Sequence, residues 1–328
     1  MKIPSVRTKD LLTVADLSYR EIINIFNFAL MLKKDLKKGR YHNFLHRKSL
    51  AMIFEKSSTR TRVSFETGIA QLGGHAQFLS GNDIQLGRGE TIADTAQVLS
   101  RYVDCIMIRT FSHETVEELA KQSEIPVING LSDTYHPCQA LTDYFTIYER
   151  SKKLKDTKIT YIGDGNNMAN SLLLGAAILG VNIAVASPAK YSPDMEVIEK
   201  AYRLSAASGA EILVTKDIDK ALKDTNYLYT DVWVSMGQEK SAARKKKDLK
   251  KYRITTDMVK KCAPDCRVMH CLPAHRGEEI DSDVIESESS IIFDQAENRL
   301  HLQKALMCVL MNNRNISKNK RKGAWLWR

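Results

Sequence analysis

Residues 49–62 read Ser49-Leu50-Ala51-Met52-Ile53-Phe54-Glu55-Lys56-Ser57-Ser58-Thr59-Arg60-Thr61-Arg62. The first six form a short apolar run with the length of a buried strand, and the run ends in a polar cluster. A helix is expected from about Thr61 to Leu72, so the polar cluster sits where a strand hands over to a helix. Upstream, Ser18-Tyr19-Arg20-Glu21 has the form of a capping box, and an apolar stripe after it predicts a helix to about Lys38. Downstream the two periods alternate. Strands are expected at Ala76 to Leu79, Cys105 to Ile108 and Pro126 to Asn129, and helices at Thr91 to Tyr102, His113 to Gln122 and Pro137 to about Arg150. A lysine-rich break at Ser151 to Thr157 follows. The alternation restarts with strands near Ile159 to Ile162, Asn182 to Ala186, Ile212 to Val214, Tyr227 to Asp231 and Arg267 to Cys271, with a further one at Ser290 to Phe293. Strands alternating with helices imply α/β architecture with a parallel β-sheet flanked by helices in each of two domains. The expected domains are 1–150 and 151–298. A C-terminal helix, about 299–313, is expected to return to the first domain, and a basic tail occupies 314–328.

Length and composition agree with this plan. A chain of 328 residues, 43% of them hydrophobic, can bury two cores. The formal charge of +10 is concentrated. Lys240 to Arg253 has eight basic residues and one acid, Arg314 to Arg328 has six basic residues and none, and the remainder is close to neutral. Two basic appendages, read as a solvated loop and a tail, are not a nucleic-acid surface. No apolar run approaches the roughly 20 residues that span a bilayer. The opening Met1-Lys2-Ile3-Pro4-Ser5 lacks the apolar region of a secretory signal, so a cytoplasmic location is expected. Six cysteines show no disulfide-framework spacing, and Cys262, Cys266, His270 and Cys271 lack a C-x₂-C knuckle. Neither a metal nor a cofactor is expected.

In parallel sheets, ligands bind beyond the carboxyl ends of the strands. Polar clusters fall there repeatedly: Glu55 to Arg62, Arg109, His136 to Gln139, Asp164 to Asn167, Asp231 to Gly237 and Cys271 to Arg276. The first has a distinct chemistry. A helix N-terminus offers unpaired N–H groups and partial positive charge to an anion, hydroxyls add donors, and arginine forks match phosphate oxygens. Ser58-Thr59-Arg60-Thr61-Arg62 supplies all three.

Together with Phe54-Glu55-Lys56-Ser57 before it, His136-Pro137-Cys138-Gln139-Ala140-Leu141-Thr142-Asp143 midway and His270-Cys271-Leu272-Pro273-Ala274 near the end, this cluster resembles the aspartate/ornithine carbamoyltransferase family. The resemblance runs to about Met311. It implies two α/β domains, a homo-oligomer built from trimers, and active sites at subunit boundaries. The acceptor is indicated by the second half of the chain. Asp231-Val232-Trp233-Val234-Ser235-Met236-Gly237 is similar to the D-x-x-x-S-M-G loop of the ornithine-using members, and Cys271-Leu272 replaces the proline-rich form of the aspartate-using ones. Putrescine-using relatives lack the Ser-Met-Gly signature. The expected partners are therefore carbamoyl phosphate and L-ornithine, with transfer to the δ-amine giving citrulline and phosphate. Putrescine transfer is the rival within enzymes. A non-catalytic paralogue binding a partner through its basic segments is the rival outside them.

Residue roles follow from the resemblance. Ser58, Thr59, Arg60 and Thr61 hold the phosphate. Arg109, His136 and Gln139 belong to the same ligand, with Arg109, His136 and Thr61 donating to the carbonyl oxygen. Gln85 is similar to a glutamine that reaches carbamoyl phosphate from a neighbouring subunit, and Arg299 to a late arginine of the same site. Asn167 is expected to bind the amino-acid carboxylate, with Asn166 as a cap. Asp231 pairs with the α-ammonium, and Ser235 and Met236 close over that end. Cys271, with the carbonyls of Cys271 and Leu272, orients the attacking amine, and Cys271 and Leu272 belong to the carbamoyl phosphate site as well. Arg109, His136, Cys271 and Thr61 form the catalytic set.

Overall fold

The computed structural model describes residues 2–81, 84, 89–237 and 239–313. Gln85 and the basic tail lie outside them. The first helix, α1 (Tyr19–Lys37), starts at the predicted box: the Ser18 hydroxyl accepts the Glu21 N–H, and the Glu21 carboxylate accepts the Ser18 N–H at 2.8 Å. Then come β1 (Ser49–Phe54), α2 (Thr59–Ala70), β2 (His75–Ser80), α3 (Ile92–Tyr102), β3 (Cys105–Arg109), α4 (His113–Gln122), β4 (Val127–Leu131) and α5 (Pro137–Ser151). The alternation continues with β5 (Lys158–Ile162), α6 (Asn167–Leu179), β6 (Asn182–Ala186), α7 (Met195–Ser208), β7 (Ile212–Thr215), α8 (Ile218–Leu222) and β8 (Tyr227–Thr230). The last elements are α9 (Ala242–Leu249), α10 (Thr256–Lys260), β9 (Arg267–His270), α11 (Ser282–Ile285) and α12 (Ile292–Met311).

The described residues divide into two compact units, one of residues up to 141 together with 299–313, the other of residues 142–298. In the first, the strand order is β2-β1-β3-β4, with every pairing parallel. β1 and β3 lie inside the sheet, and Leu50 to Ile53 and Cys105 to Ile108 are buried. Burial on both faces explains why these strands read as continuous apolar runs rather than alternating ones. β2 is the edge, and none of its residues is fully buried. In the second unit the order is β7-β6-β5-β8-β9, again all parallel. Each sheet is built outward from its first strand and then resumed on that strand's other side. The switch points therefore fall between β1 and β3 and between β5 and β8, where the strand ends leave a crevice for ligand.

Two expectations need correction. Ser290 to Phe293 is not a strand. Ser290 makes a single isolated bridge to Val268, and Ile292 already opens α12. The branched side chains of Ile291 and Ile292 are buried at the helix start, which satisfies the apolar run without a ladder. The helix accordingly begins seven residues before Arg299. Its later part packs on α2 in the first unit, where a side chain at Gly68 would lie 3.1 Å from Met307 and 3.2 Å from Lys304. Second, Lys240 to Arg253 is not simply a solvated loop, because α9 forms there and buries Lys245 and Leu249. Among the described residues no helix is long and apolar enough to cross a membrane.

Candidate active site

The first unit gathers its polar residues at the β1/β3 switch point. Ser58 caps α2, its hydroxyl accepting the Thr61 N–H at 3.2 Å and lying 3.1 Å from Thr61 Oγ1. Thr59 and Arg60 are the first two residues of that helix, so the free N–H groups of its first turn surround them. Arg109 closes β3, and its carbonyl accepts the Glu55 N–H at 2.9 Å, which ties the two strand ends together. The Arg109 guanidinium Nε in turn donates to the Lys56 carbonyl at 3.2 Å. His136 precedes α5 and Gln139 lies in its first turn, both buried. Burial, reinforced by the charges of Arg299, Arg109 and Arg60, holds the His136 imidazole well below its usual pKa. The ring is neutral at physiological pH and can donate a hydrogen bond without carrying charge.

Arg299 organises this set from α12. Its Nη1 donates to Gln139 Oε1 at 2.6 Å, its Nη2 to Thr61 Oγ1 at 3.2 Å and its Nε to Gln303 Oε1 at 2.8 Å. Arg299 is 3% exposed. Its fork thus acts on two of the expected ligand contacts and clamps them in register. Lys56 is a residue the sequence reading left without a role. It is buried, paired with Asp133, and has its ammonium 4.3 Å from the Phe111 ring centroid. The arrangement is a cluster of fixed cations and N–H dipoles around a helix N-terminus, suited to a small dianion.

The second unit places its set at the β5/β8 switch point. Gly163 to Asn166 forms the turn between β5 and α6. A side chain at Gly165 would lie 2.2 Å from the Pro193 backbone nitrogen, so only glycine permits this close approach. Asn166 is the cap of α6: its Oδ1 accepts the N–H groups of Met168 and Ala169 and the Tyr161 hydroxyl. Its Nδ2 donates to Asp231 Oδ2 at 2.8 Å. Asn167 is the first residue of α6. Asp231 follows β8 directly, and its other oxygen accepts the Val232 N–H at 2.8 Å and the Cys271 thiol at 2.8 Å. Ser235 is half-buried and Met236 is 44% exposed in the loop that leaves Asp231. Burial and the neighbouring Asp231 carboxylate push the Cys271 thiol well above its usual value. It is a hydrogen-bond donor at neutral pH, and the thiolate needed for covalent attack is disfavoured.

Supporting groups surround this set. Leu272 adopts left-handed backbone, φ +59°, and its N–H donates to His270 Nδ1 at 2.8 Å. That bond fixes the tautomer, so Nε2–H faces buried Glu279 Oε1 at 3.1 Å. Both ring nitrogens of His270 are thus used in holding the loop. Buried Asp143 accepts from Gln295 Nε2 at 2.7 Å and from the Tyr229 hydroxyl at 3.0 Å, and Gln295 Oε1 accepts the His270 N–H at 3.0 Å. Asp143, Tyr229, Gln295, Glu279, Asp164 and Lys245 were given no individual role from sequence, though Asp143 and Asp164 stand in the motifs quoted. Asp143 carried a signal, because it lies one helical turn beyond Gln139.

Comparison with known proteins agrees with this layout. The aspartate/ornithine carbamoyltransferase carbamoyl-P binding domain matches residues 9–149, and the Asp/Orn binding domain of the same family matches residues 155–310. An ornithine carbamoyltransferase from Pyrococcus abyssi is 52% identical over 307 residues, 94% of this chain and 97% of that protein. The structure of ornithine carbamoyltransferase from Pyrococcus furiosus superposes with a TM-score of 0.91 at 52% identity, covering 94% of this chain and 99% of that one. The anabolic ornithine carbamoyltransferase from Campylobacter jejuni gives 0.87 at 45% identity, covering 93% and 99%. With both halves matched in order, the chain belongs to the aspartate/ornithine carbamoyltransferase family.

Proposed function

We propose that this protein transfers the carbamoyl group of carbamoyl phosphate to the δ-amine of L-ornithine, releasing L-citrulline and phosphate. The observation that carries the choice of acceptor is the similarity to ornithine carbamoyltransferases over nearly the whole chain. The geometry is compatible with it: Asp231, a carboxylate 6% exposed and fixed by Asn166, Val232 and Cys271, is a preorganised anion at a strand end, suited to an α-ammonium.

In this mechanism Ser58, Thr59, Arg60 and Thr61 hold the phosphate at the start of α2. Arg109, neutral His136 and the Thr61 hydroxyl donate to the carbonyl oxygen, where negative charge grows as the amine attacks. Gln139, clamped by Arg299, binds the carbamoyl end. Asp231 takes the α-ammonium, Asn167 the carboxylate, and Ser235 and Met236 the same end of the acceptor. The δ-nitrogen lone pair forms the bond to the carbamoyl carbon, the carbon–oxygen bond to phosphate breaks, and the leaving phosphate takes the amine's proton. The protonated Cys271 thiol and the carbonyls at Cys271 and Leu272 orient that amine. Holding both reactants in line supplies much of the rate. An amine with a pKa of about 10.4 is free in roughly one molecule in 2,500 at pH 7, so orientation of the free base matters.

We extend the proposal to assembly and location. The exposed β2 edge, with Phe78 37% and Val63 of α2 52% exposed, fits a homo-oligomer of trimers in which Gln85 contributes to a neighbour's site. Six free cysteines fit a reducing cytoplasm. The test is direct: carbamoyl phosphate is offered with ornithine, putrescine, lysine or aspartate, and each product is scored. Citrulline as the dominant product is expected, and N-carbamoylputrescine in its place would overturn the assignment.

A further inference from the structure

Within the lysine-rich run of α9, one side chain differs from its neighbours. Lys245 Nζ lies 2.6 Å from Asp164 Oδ2, and the two side chains are 7% and 8% exposed. Arg244, Lys247, Lys250 and Lys251 are exposed, and Lys246 pairs with Glu278 at the surface. Asp164 stands in the turn that carries Asn166 and Asn167. Its backbone carbonyl accepts the Tyr161 hydroxyl at 2.8 Å and the Asn166 N–H at 2.8 Å. Tyr191 makes a second tie between the same two segments. Its hydroxyl donates to Asp248 on α9 at 2.9 Å, and its carbonyl accepts the Gly165 N–H at 2.8 Å.

The position of α9 in the chain gives these ties their meaning. The Ser235-Met236-Gly237 segment begins at Asp231, at the end of β8, and the chain enters α9 only a few residues after it. One end of the segment is therefore fixed by the sheet, and the other by wherever α9 docks. We propose that Lys245 is a positioning residue for the acceptor: by anchoring α9 to the Asp164 turn, it fixes the far end of the Ser235–Gly237 loop against the turn bearing Asn166 and Asn167, and so sets the affinity for the amino-acid end of ornithine. The inference rests on the ornithine reading and adds a residue that touches neither substrate.

Energetics separate this role from simple stabilisation. Burial pushes the Asp164 carboxyl up to about 6 even with the ammonium beside it. The desolvation of the carboxylate exceeds what Lys245 returns, so the pair adds little stability, and the role assigned to it is to fix geometry. An apolar pair of the same size would restore stability, but without the directional contact that fixes where α9 sits on the turn.

The test compares Lys245→Arg, Lys245→Met and Lys245→Met/Asp164→Asn in the full chain, with Tm and both KM values for each. Lys245→Met is expected to raise the KM for ornithine by roughly tenfold or more, with the KM for carbamoyl phosphate moving less than about twofold, as for sites without shared partners. Lys245→Arg, which keeps a charged donor for Asp164, should recover most of the affinity. The double variant leaves no unpaired buried carboxylate, so it should regain Tm while its KM for ornithine stays high. If the double variant regained both, or if Lys245→Met lost Tm with an unchanged KM for ornithine, Lys245 would be a structural brace and the inference would be wrong. A wild-type protein that makes no citrulline would overturn the activity reading, and this inference with it.

Discussion

Replacing Arg299 with methionine isolates the clamp from the volume it fills. The change removes three guanidinium hydrogen bonds, to Gln139 at 2.6 Å, Gln303 at 2.8 Å and Thr61 at 3.2 Å, from a site 3% exposed. The consequences are unequal. Gln303 Oε1 keeps the Ser64 hydroxyl at 3.1 Å, and Thr61 keeps its contact with Ser58 at 3.1 Å. Gln139 loses a short, charge-assisted donor at 2.6 Å, and a hydrogen bond to a charged group is worth about 1.5–3 kcal/mol. Part of the loss is offset because a buried cation no longer has to be desolvated, so a net destabilisation of about 1–2 kcal/mol is expected. For a unit of this size that lowers Tm by roughly 2–8 °C. The functional effect should be larger and one-sided. With Thr61 and Gln139 no longer held in register, the KM for carbamoyl phosphate should rise roughly 10–100-fold, about 1.4–2.8 kcal/mol, with little change in the KM for ornithine. Steady-state kinetics at 20 °C, well below the lowered Tm, make the measurement. A variant with reduced Tm and wild-type affinity for carbamoyl phosphate would refute the clamp and leave Arg299 a packing residue.

Other expectations follow from the same geometry. Arg109→Ala should lower kcat by about 10²–10³-fold, the loss of one strong oxyanion donor, and wild-type turnover at saturating substrates would remove Arg109 from the catalytic set. Asp231→Asn keeps the size of the side chain but not its charge; ornithine should suffer far more than carbamoyl phosphate in kcat/KM, and equal losses would count against the α-ammonium contact. Activity should climb from pH 6 to 9 as the acceptor amine deprotonates, without a break from His136, because that ring is already neutral at the low end. The same shift has a stability consequence of defined sign. The unfolded chain binds the His136 proton below about pH 6.5 and the folded chain does not, so the His136 contribution to stability falls as pH drops through that value. Asp10 and Asp164, raised by burial to about 6, contribute in the opposite sense, so the measurement is the difference between wild type and His136→Gln in urea denaturation at about pH 5.5 and 7.5.

The alternation of apolar runs and polar clusters made both sheets legible, since strands buried on two faces announce themselves by composition alone. The polar clusters at the ends of β1, β3, β5 and β8 were legible for a related reason, because polar residues directly after an apolar strand stand out from the buried run. What stayed hidden depended on tertiary partners. Lys245 sits in Lys245-Lys246-Lys247, where composition cannot tell a buried lysine from solvated ones. Its spacing to Leu249, one helical turn on, was the available clue that this face turns inward. Gln295 was missed because the strand was read to Phe293 and the helix from Arg299, so it fell in the unassigned stretch between them. Ile291-Ile292 has strand-like composition, and only packing decides that it opens a helix.

Asn166 carries a consequence for how much sequence change this fold tolerates. An ordinary helix cap such as Ser18, Thr91 or Ser112 needs only an oxygen at the right reach, so several residue types serve. Asn166 must accept from the first turn of α6 with one end of its amide and donate to Asp231 with the other. Aspartate would cap the helix but set a second carboxylate against Asp231, and serine or threonine would cap it without a donor of the right length. Glutamine has both groups, but one methylene too far out. The intersection of two undemanding requirements is nearly a single amino acid, and drift at this position is closed off by geometry rather than by the importance of either task alone.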